Sequence, residues 1–196
     1  MPADTLYTAE EYLAFERASE KRCELVNGRI RPTPASDVAH MAIAGAIGAK
    51  LIAWLRDQYV VFSVFTSLMR VKGNRAGMYA YPDVVVIHGA PQLEDDYKDT
   101  LVNPTVIFEV YSDETEAFDR GEKFAQYRRS ETLREYILVS QHEVRVELYR
   151  REGDRWRFSE ITDREGVLDV ETLGCEIPLA EIYGDVDLPP SRGRRG

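Results

Sequence analysis

The chain has 196 residues, of which 44% are hydrophobic and 30% are charged. This composition is typical of a globular domain and excludes collagen-like and wholly disordered classes. With 25 Lys and Arg against 34 Asp and Glu, the formal net charge is −9. So acidic a chain is a poor candidate for coating nucleic acid by bulk charge, but an enzyme that meets nucleic acid locally through metal ions is compatible with it.

Cysteine usage and hydropathy indicate a soluble intracellular protein. Cys23 and Cys175 lie far apart and form no CxxC pair, so neither a disulfide framework nor a structural zinc site is supported. Residues 1–15 lack the basic-then-apolar pattern of a signal peptide. The apolar-rich stretch 40–55 is interrupted by Lys50 and by glycines, and falls short of the roughly 18 apolar residues of a membrane span. We therefore expect a cytoplasmic protein with no membrane partner.

The first predicted elements are a short helix and a hairpin. Thr8 and Glu11 have the spacing of a capping box, which predicts a helix that begins directly after Thr8. The dipeptide Asn27-Gly28 stands between apolar flanks, and both of its residues accept the positive φ of a type I′ turn. This predicts a β-hairpin with strands over roughly residues 22–26 and 29–33.

A long helix is predicted next, over about residues 38–57, with Ser36 or Asp37 as its cap. Its apolar residues recur at helical spacing and form one face: Ile43, Ile47, Leu51 and Leu55.

The remainder of the chain is rich in strand-like runs. They cover residues 59–66, 68–72, 84–87, 106–111, 135–139, 144–150 and 156–161. Residues 90–104 have the composition of a polar loop, and helices are predicted at about 116–129 and 179–183. This order predicts a single mixed α/β domain over residues 5–186, followed by a flexible tail over residues 187–196.

Three carboxylates stand in apolar strand contexts. Glu24 lies inside a short apolar strand, Asp83 directly precedes the apolar run 84–87, and Glu109 lies inside the run 106–111. An ionised carboxylate in such a place costs several kcal/mol unless it is paired or binds a metal. Each also has an ordinary interpretation taken alone, as a solvent-facing strand residue or as a turn residue.

Together the carboxylates favour a metal site. Asp83 and Glu109, on two strands separated by one loop, would present two hard oxygen ligands to one Mg²⁺ or Mn²⁺ ion. Lys123 lies on the helix that follows the Glu109 strand, where it would polarise an attacking water or stabilise charge on a phosphoryl oxygen. Asp119, Lys123 and Tyr127 are four residues apart and share one helix face. A lysine on an amphipathic helix is, by itself, equally typical of a solvated face.

The residues around these carboxylates resemble a known motif. Asp83 after a proline, followed by Glu109 in an apolar strand, resembles the PD-(D/E)xK motif of restriction-endonuclease-like nucleases, although Tyr111 stands where the motif has its lysine. A longer set of segments, in order over about residues 8–183, resembles the Uma-two (Uma2) family of restriction endonucleases. These segments are residues 24–28, His40, residues 81–83, 108–112, 119–123 and 134–139.

The resemblance implies an α/β restriction-endonuclease-like fold: a mixed central sheet flanked by helices, with additional C-terminal antiparallel strands. It implies Asp83 and Glu109 as metal ligands, Lys123 as the catalytic lysine displaced onto a helix, and Glu24 as a further catalytic acid. The family often has Asp at the position of Gln141 and Pro at that of Asp113. We expect those two departures to fall in loops outside the site.

Several side chains are weaker candidates. His40 is more typically a cap or packing residue, but it is a possible accessory member of the site, as are Gln126 and Tyr127. A further group of arginines would offer phosphate contacts, with an ordinary charged surface as the alternative: Arg128, Arg129, Arg150, Arg151, Arg155 and Arg157.

The resulting hypothesis is a Mg²⁺- or Mn²⁺-dependent endonuclease that hydrolyses DNA. The alternative is a catalytically silent scaffold or nucleic-acid-binding module of the same fold, which the acidic surface favours. A homodimer is expected, because cutting two strands is simplest with two sites, and the strand over residues 59–66 is a candidate surface for it.

Overall fold

Two facing β-sheets with helices packed outside them make up the fold, in a computed structural model that describes residues 5–56, 62–66, 68–73, 77–184 and 186–188. The strands are β1 Cys23–Val26, β2 Arg29–Pro32, β3 Phe62–Thr66, β4 Arg70–Lys72, β5 Tyr79–Ala80, β6 Val84–His88, β7 Thr100–Leu101, β8 Val106–Tyr111, β9 Glu135–Ser140, β10 Val146–Glu152, β11 Arg155–Ile161, β12 Val167–Val170 and β13 Cys175–Pro178.

The larger sheet has six strands in the order β11-β10-β9-β8-β6-β3. Strands β8 and β9 are parallel, whereas the other neighbours in this sheet are antiparallel. The predicted mixed central sheet is therefore confirmed, and β10 and β11 are the additional C-terminal antiparallel strands. The smaller sheet has the order β2-β1-β5-β4-β7, and β12 pairs with β13 alone.

Three helical regions pack on the sheets. Helix α1 spans Ala9–Ala18 and helix α2 spans Val38–Arg56. A third helix, called here the Lys123 helix, has three consecutive segments: Glu116–Phe118, the π-helical turn Asp119–Lys123, and Phe124–Tyr127. It ends two residues before the predicted bound of 129. A short helix over Leu179–Ile182 confirms the last predicted turn.

Local signals in the sequence correspond to the observed caps and turns. The capping box of Thr8 and Glu11 is present in full. Asn27 and Gly28 have φ values of 53° and 75°, as the type I′ turn between β1 and β2 requires. At the start of α2 the cap is Asp37, whose Oδ1 accepts a hydrogen bond of 2.9 Å from the backbone N–H of His40.

The core lies in three layers, set by the alternation of side chains along the strands. Val84, Val86 and Phe108 on the six-stranded sheet pack against α2 and the β12–β13 pair. The opposite face of this sheet packs against the five-stranded sheet and the Lys123 helix. Tyr12 of α1 covers the outer face of the five-stranded sheet, where its hydroxyl donates to the carbonyl of Cys23.

Some predicted bounds are wrong. The loop 90–104 contains β7, which pairs in parallel with β4, and the pair β12–β13 was not predicted at all. Strand β3 begins at Phe62, and residues 59–61 lie outside the described residues. Most of the predicted tail also lies outside them, so its flexibility and the single-domain bounds stay predictions.

Helix α2 also corrects the hydropathy argument. At 19 residues and a mean hydropathy of 1.6, it is long and apolar enough to cross a membrane by length and composition. A core helix of a soluble protein meets the same criterion, and Ile43, Ile47 and Leu51 of α2 are fully buried against the sheet. Its outward face leaves Met41 and Ile52 exposed.

Candidate active site

A buried lysine lies between carboxylates contributed by both sheets. Lys123 Nζ is 3.1 Å from Oε1 of Glu24 on β1 and 3.0 Å from Oε1 of Glu109 on β8. It is also 3.6 Å from Oδ1 of Asp119, one helical turn earlier. All four residues are at most 5% exposed. We call this group the Lys123 cluster; it brings together three residues that the sequence proposed for the site, and it adds Asp119.

The hairpin register explains the position of Glu24. The strand β1 has a period of two, so Cys23 and Leu25 face Tyr12 on the outer side, whereas Glu24 and Val26 face the six-stranded sheet. Oε1 of Glu24 also accepts a hydrogen bond of 2.9 Å from the backbone N–H of Tyr81. Glu24 is therefore held in the space between the sheets, as the sequence analysis expects.

Glu109 and Tyr111 lie on the same face of β8. Tyr111 stands where the PD-(D/E)xK motif has its lysine, and its buried hydroxyl has no hydrogen-bond partner within the described residues. The ammonium near Glu109 comes from the helix instead. Oε1 of Glu109 likewise accepts no hydrogen bond within the described ranges, although Lys123 Nζ lies at ion-pair distance.

The π-helical turn places the lysine. It spans Asp119–Lys123, and both of its terminal residues are buried toward the carboxylates. A wide turn of this kind is rare in helices and often marks a functional site. After it, Phe124 and Tyr127 anchor the helix by stacking on Tyr136 of β9.

Asp83 lies at the edge of this group and has its own partners. Its Oδ1 is 2.7 Å from Nε2 of His40 on α2, and its Oδ2 accepts a hydrogen bond of 2.7 Å from the backbone N–H of Val110. The second contact joins the start of β6 to the residue that follows Glu109. Asp83 and Glu109 are thus on neighbouring strands, as predicted, and His40 contacts the site directly.

Burial and crowded negative charge set the pKa values here. Burial raises the pKa of Glu109 well above its ordinary value, and the nearby Asp119, Asp83 and Glu24 raise it further against the opposing effect of Lys123. Burial also raises the pKa of Asp119. For Lys123, burial alone lowers the pKa, but the carboxylates outweigh it and hold the pKa well above the usual value. Lys123 is therefore a cation at neutral pH.

His40 is biased toward its charged form. Burial lowers its pKa, but the hydrogen bond and charge of Asp83 outweigh burial, so the net shift is upward. A charged His40 would neutralise Asp83 in the metal-free protein.

An open cleft of about 650 Å³ gives access to these groups. Glu24, Asp83, Glu109 and Lys123 line it, together with the segment 32–37 on one side and residues 112–115 on the other. The cleft is predominantly acidic. A small polyanionic surface can approach it only if cations offset this charge.

Two of the accessory candidates do not line the cleft. Gln126 bonds the turn residue Asn27 and accepts a hydrogen bond from Arg129, so it faces the hairpin rather than the site. Tyr127 is fully buried behind the Lys123 cluster, where the charge of Glu109 adds to burial in raising its pKa.

The expectation that Gln141 and Asp113 lie outside the site is wrong. Both line the cleft. Nε2 of Gln141 donates a hydrogen bond of 2.9 Å to Oδ2 of Asp37, the residue that caps the helix of His40. The departure from the family pattern at Gln141 therefore touches the surroundings of His40.

Most of the suggested phosphate-binding arginines have structural partners. Arg150 pairs with the buried Glu135 at 2.7 Å, and Arg157 pairs with Glu152 at 2.6 Å. Arg151 donates to three backbone carbonyls, those of Leu133, Arg128 and Ser130.

Sequence reasoning missed a second buried ionic group. Arg70 is 1% exposed, pairs with Glu16 and lies 2.7 Å from Oδ1 of Asp99. The hydroxyl of Tyr81 donates to Glu16, and Asp99 also binds Arg17 at 2.9 Å. We call this the Arg70 cluster. Nothing local in the sequence indicates it, because its members come from separate elements.

Comparison with known proteins places the chain in a family. The sequence profile of Uma2, described as "Putative restriction endonuclease", matches residues 9–180. The chain belongs to the Uma2 family. The family membership that the sequence analysis predicted is thus confirmed.

Proteins similar to this Uma2 chain occur in Synechocystis. Uncharacterized protein sll1609 is 33% identical over 157 residues, which cover 80% of this chain and 88% of that protein. Uncharacterized protein slr1290 is 28% identical over 179 residues, covering 89% and 90%.

A solved structure shares the fold of this Uma2 member. It is the crystal structure of a putative nuclease belonging to DUF820 from Anabaena variabilis, with a TM-score of 0.75 over 90% of this chain and 97% of that one. At 15% sequence identity the likeness shows the fold. It confirms the predicted mixed α/β architecture of helices flanking mixed sheets.

Proposed function

We propose that this Uma2 protein is a Mg²⁺- or Mn²⁺-dependent endonuclease that hydrolyses phosphodiester bonds of DNA. The observation that carries the proposal is the charge imbalance of the Lys123 cluster, in which one buried ammonium serves three buried carboxylates at the base of an open cleft. Such an arrangement costs folding free energy and is typical of sites that bind a cation. Membership of the Uma2 family supports it.

The donor set fits a hard divalent ion. Oε1 of Glu109 is buried without a hydrogen bond in the described part of the chain, and Asp83 lies on the adjacent strand, facing the same cleft. Among the described residues no group of three or more His, Cys, Asp and Glu side chains is arranged as a complete metal cage. Mg²⁺ suits such a site, because it is commonly held by one or two carboxylates with the remaining positions taken by water and substrate phosphate.

Asp83 and Glu109 would hold the ion, which when bound would supply charge neutralisation and Lewis acidity toward a phosphate. Lys123 stays protonated, so its Nζ donates to a phosphoryl oxygen and stabilises negative charge rather than removing a proton. Glu24 orients Lys123 from the opposite sheet, and its own orientation is held by the backbone N–H of Tyr81. His40 withdraws from Asp83 or remains bonded to it as the ion enters.

Calorimetric titration with Mn²⁺ tests the ligands. Asp83→Asn and Glu109→Gln should each weaken Mn²⁺ binding by tenfold or more, about 1.4 kcal/mol. Asp113→Asn, which changes an exposed carboxylate at the rim of the same cleft, is the matched control and should bind as wild type does. Unchanged affinity in both ligand variants would remove the basis for the metal site.

Nicking of plasmid DNA with Mn²⁺ tests the activity. Glu24→Gln should leave folding intact and reduce cleavage more than it reduces metal affinity, because Glu24 acts through Lys123. Equal nicking by wild type and Glu24→Gln would return Glu24 to a structural role. Absence of nicking under conditions where Mn²⁺ binds would favour the alternative, a silent scaffold of the same fold.

We also propose a homodimer in a reducing cytoplasm, since two copies would supply the two sites that double-strand cleavage needs. The strand β3 is an edge of the six-stranded sheet and remains the candidate surface. Light scattering at micromolar concentration checks the mass, and a monomer would exclude this arrangement.

A further inference from the structure

The β1–β2 hairpin reverses the charge of the chain beside the cleft. Lys21, Arg22, Arg29 and Arg31 fall within a stretch of 11 residues, whereas the whole chain has a formal net charge of −9. The only carboxylate in that stretch is Glu24, which is buried. The hairpin therefore presents a positive surface at the margin of an acidic cleft.

Strand register places the arginines on the same face as Glu24. Arg31 lies directly opposite Glu24, and Arg29 lies opposite Val26. Directly opposed residues of antiparallel strands have side chains on one face, and so do residues two apart on a strand. By the same alternation Arg22, two residues before Glu24, belongs to this face. Its guanidinium lies 5.3 Å from the ring centroid of Tyr81, a residue that lines the cleft.

Arg31 reaches the cleft itself. It lines the cleft, and its guanidinium lies 4.5 Å from the ring centroid of Phe118 on the Lys123 helix. Its carboxylate partner is Glu122 at 3.4 Å, and both side chains are more than 40% exposed. An exposed pair of this kind contributes little to stability, so a phosphate can replace Glu122 at small cost.

Arg29 is exposed, and the described residues provide no carboxylate within ion-pair distance of it. This differs from the arginines of the larger sheet, such as Arg150, which is committed to the buried Glu135. On β2, Arg29 and Arg31 lie about 6.6 Å apart along the strand, close enough to engage neighbouring phosphates of one backbone. Guanidinium groups bind phosphate through two parallel hydrogen bonds, which adds geometric specificity.

We propose that the face formed by Arg22, Arg29 and Arg31 binds the sugar–phosphate backbone of DNA and delivers a neighbouring phosphodiester to Glu24, Glu109 and Lys123. This inference rests on the proposed function and adds the direction from which the substrate enters. The opposite rim carries Asp113 and Glu114, which repel a polyanion, so the backbone crosses the cleft from the hairpin side.

The test compares two pairs of exposed arginines on two edge strands. The hairpin variant is Arg29→Ala with Arg31→Ala on β2. The matched control is Arg155→Ala with Arg157→Ala on β11, which removes the same charge from an edge of the six-stranded sheet. Binding of a labelled DNA duplex is measured by fluorescence anisotropy in Ca²⁺ over a series of salt concentrations, and plasmid nicking is measured in Mn²⁺. Thermal melting shows that each variant is folded.

The hairpin variant should bind the duplex at least tenfold more weakly than wild type. Its plot of log affinity against log salt should be shallower by about two, since each lost phosphate contact removes a slope of roughly 0.9. The control should bind and nick as wild type does. This pattern supports the inference.

The other outcomes separate its failure from that of the proposed function. If wild type nicks DNA and the hairpin variant binds as tightly as wild type, the docking surface is wrong while the endonuclease proposal stands. Equal losses in hairpin variant and control would show that general charge, and not this face, governs binding. If wild type neither binds nor nicks DNA, the proposed function fails and the docking surface fails with it.

Discussion

The Lys123 cluster and the Arg70 cluster are both buried ionic groups, but their charges are arranged in opposite ways. In the Arg70 cluster, Arg70 and Arg17 share the carboxylates of Glu16 and Asp99, so cations and anions are equal in number. In the Lys123 cluster one ammonium faces three carboxylates. The first arrangement neutralises itself and holds elements together. The second retains negative charge that folding alone does not require.

The pKa directions report the same difference. In the Arg70 cluster, the hydrogen bond from Arg17 lowers the pKa of Asp99 far below its usual value. In the Lys123 cluster, burial raises the pKa of Glu109 and of Asp119. A buried carboxylate with a lowered pKa is stabilised by its partners, whereas one with a raised pKa is strained in its charged form. The comparison distinguishes a structural ion network from a site prepared for an added cation.

Removal of the cation from the balanced cluster should have the largest effect. Arg70→Met leaves Glu16 buried without its partner, and we expect a loss of about 3–5 kcal/mol in the free energy of unfolding. Urea denaturation measures the loss, with Arg157→Met as an exposed control within about 0.5 kcal/mol of wild type. A loss below 1 kcal/mol for Arg70→Met would show that the network is not structural.

Removal of the cation from the unbalanced cluster should cost less. In Lys123→Met, Glu109 and Asp119 already have raised pKa values and can take up protons, so we expect a loss of about 2 kcal/mol at pH 8 without divalent ions. Because the folded protein then binds protons more tightly than the unfolded chain, the loss should shrink as the pH falls toward 5. Unfolding measured at both pH values checks this. A loss that does not change with pH would contradict the assignment of raised carboxyl pKa values.

Removal of one carboxylate from the unbalanced cluster should stabilise the protein. The folded-state pKa of Glu109 lies above its ordinary value of 4.5, so ionisation of Glu109 lowers stability progressively as the pH rises above 4.5. Glu109→Gln should therefore gain about 1 kcal/mol at pH 8 without metal, and less at pH 5. With Mn²⁺ present, wild type should gain more thermal stability than the variant. Glu16→Gln is the matched control in the other cluster, and it should lose stability under the same conditions.

The smallest effect is expected at the edge of the balanced cluster. Asp99 is about one third exposed, so solvent screening limits the loss in Asp99→Asn to at most about 1 kcal/mol at pH 7. Its pKa is lowered on folding, so its stabilising contribution is present at neutral pH and disappears as the pH falls below its ordinary value of 3.8. Wild type and variant should then differ at pH 7 and converge in acid, which is opposite in direction to the behaviour of Glu109.

Features set by nearby residues could be predicted from the sequence. The capping box of Thr8, the type I′ turn at Asn27-Gly28 and the alternation along β1 depend on residues a few positions apart. That alternation was sufficient to point Glu24 inward. The displaced lysine could be placed as well, because Lys123 follows Glu109 by a single connection.

Features set by distant residues could not be predicted. The Arg70 cluster joins α1, β4 and the segment before β7, and an arginine in a short strand gives no local sign that it is buried. The bond between His40 and Asp83 spans 43 positions and depends on how α2 lies across the sheet. Gln141 follows a strand in a turn, and its approach to the cleft is visible only after β9 is placed parallel to β8.

The placement of the two cysteines gives the molecule a native reporter of motion. Burial raises the pKa of the Cys23 thiol to about 11, and Cys23 is next to Glu24 on the strand of the proposed docking face. Cys175 is buried in the opposite layer, beneath α2. Since a thiol reacts only when it is exposed as thiolate, the rate at which each is alkylated measures how often its own layer opens. A duplex bound across the hairpin would slow alkylation of Cys23 and leave that of Cys175 unchanged, so contact with substrate could be followed without altering a single residue.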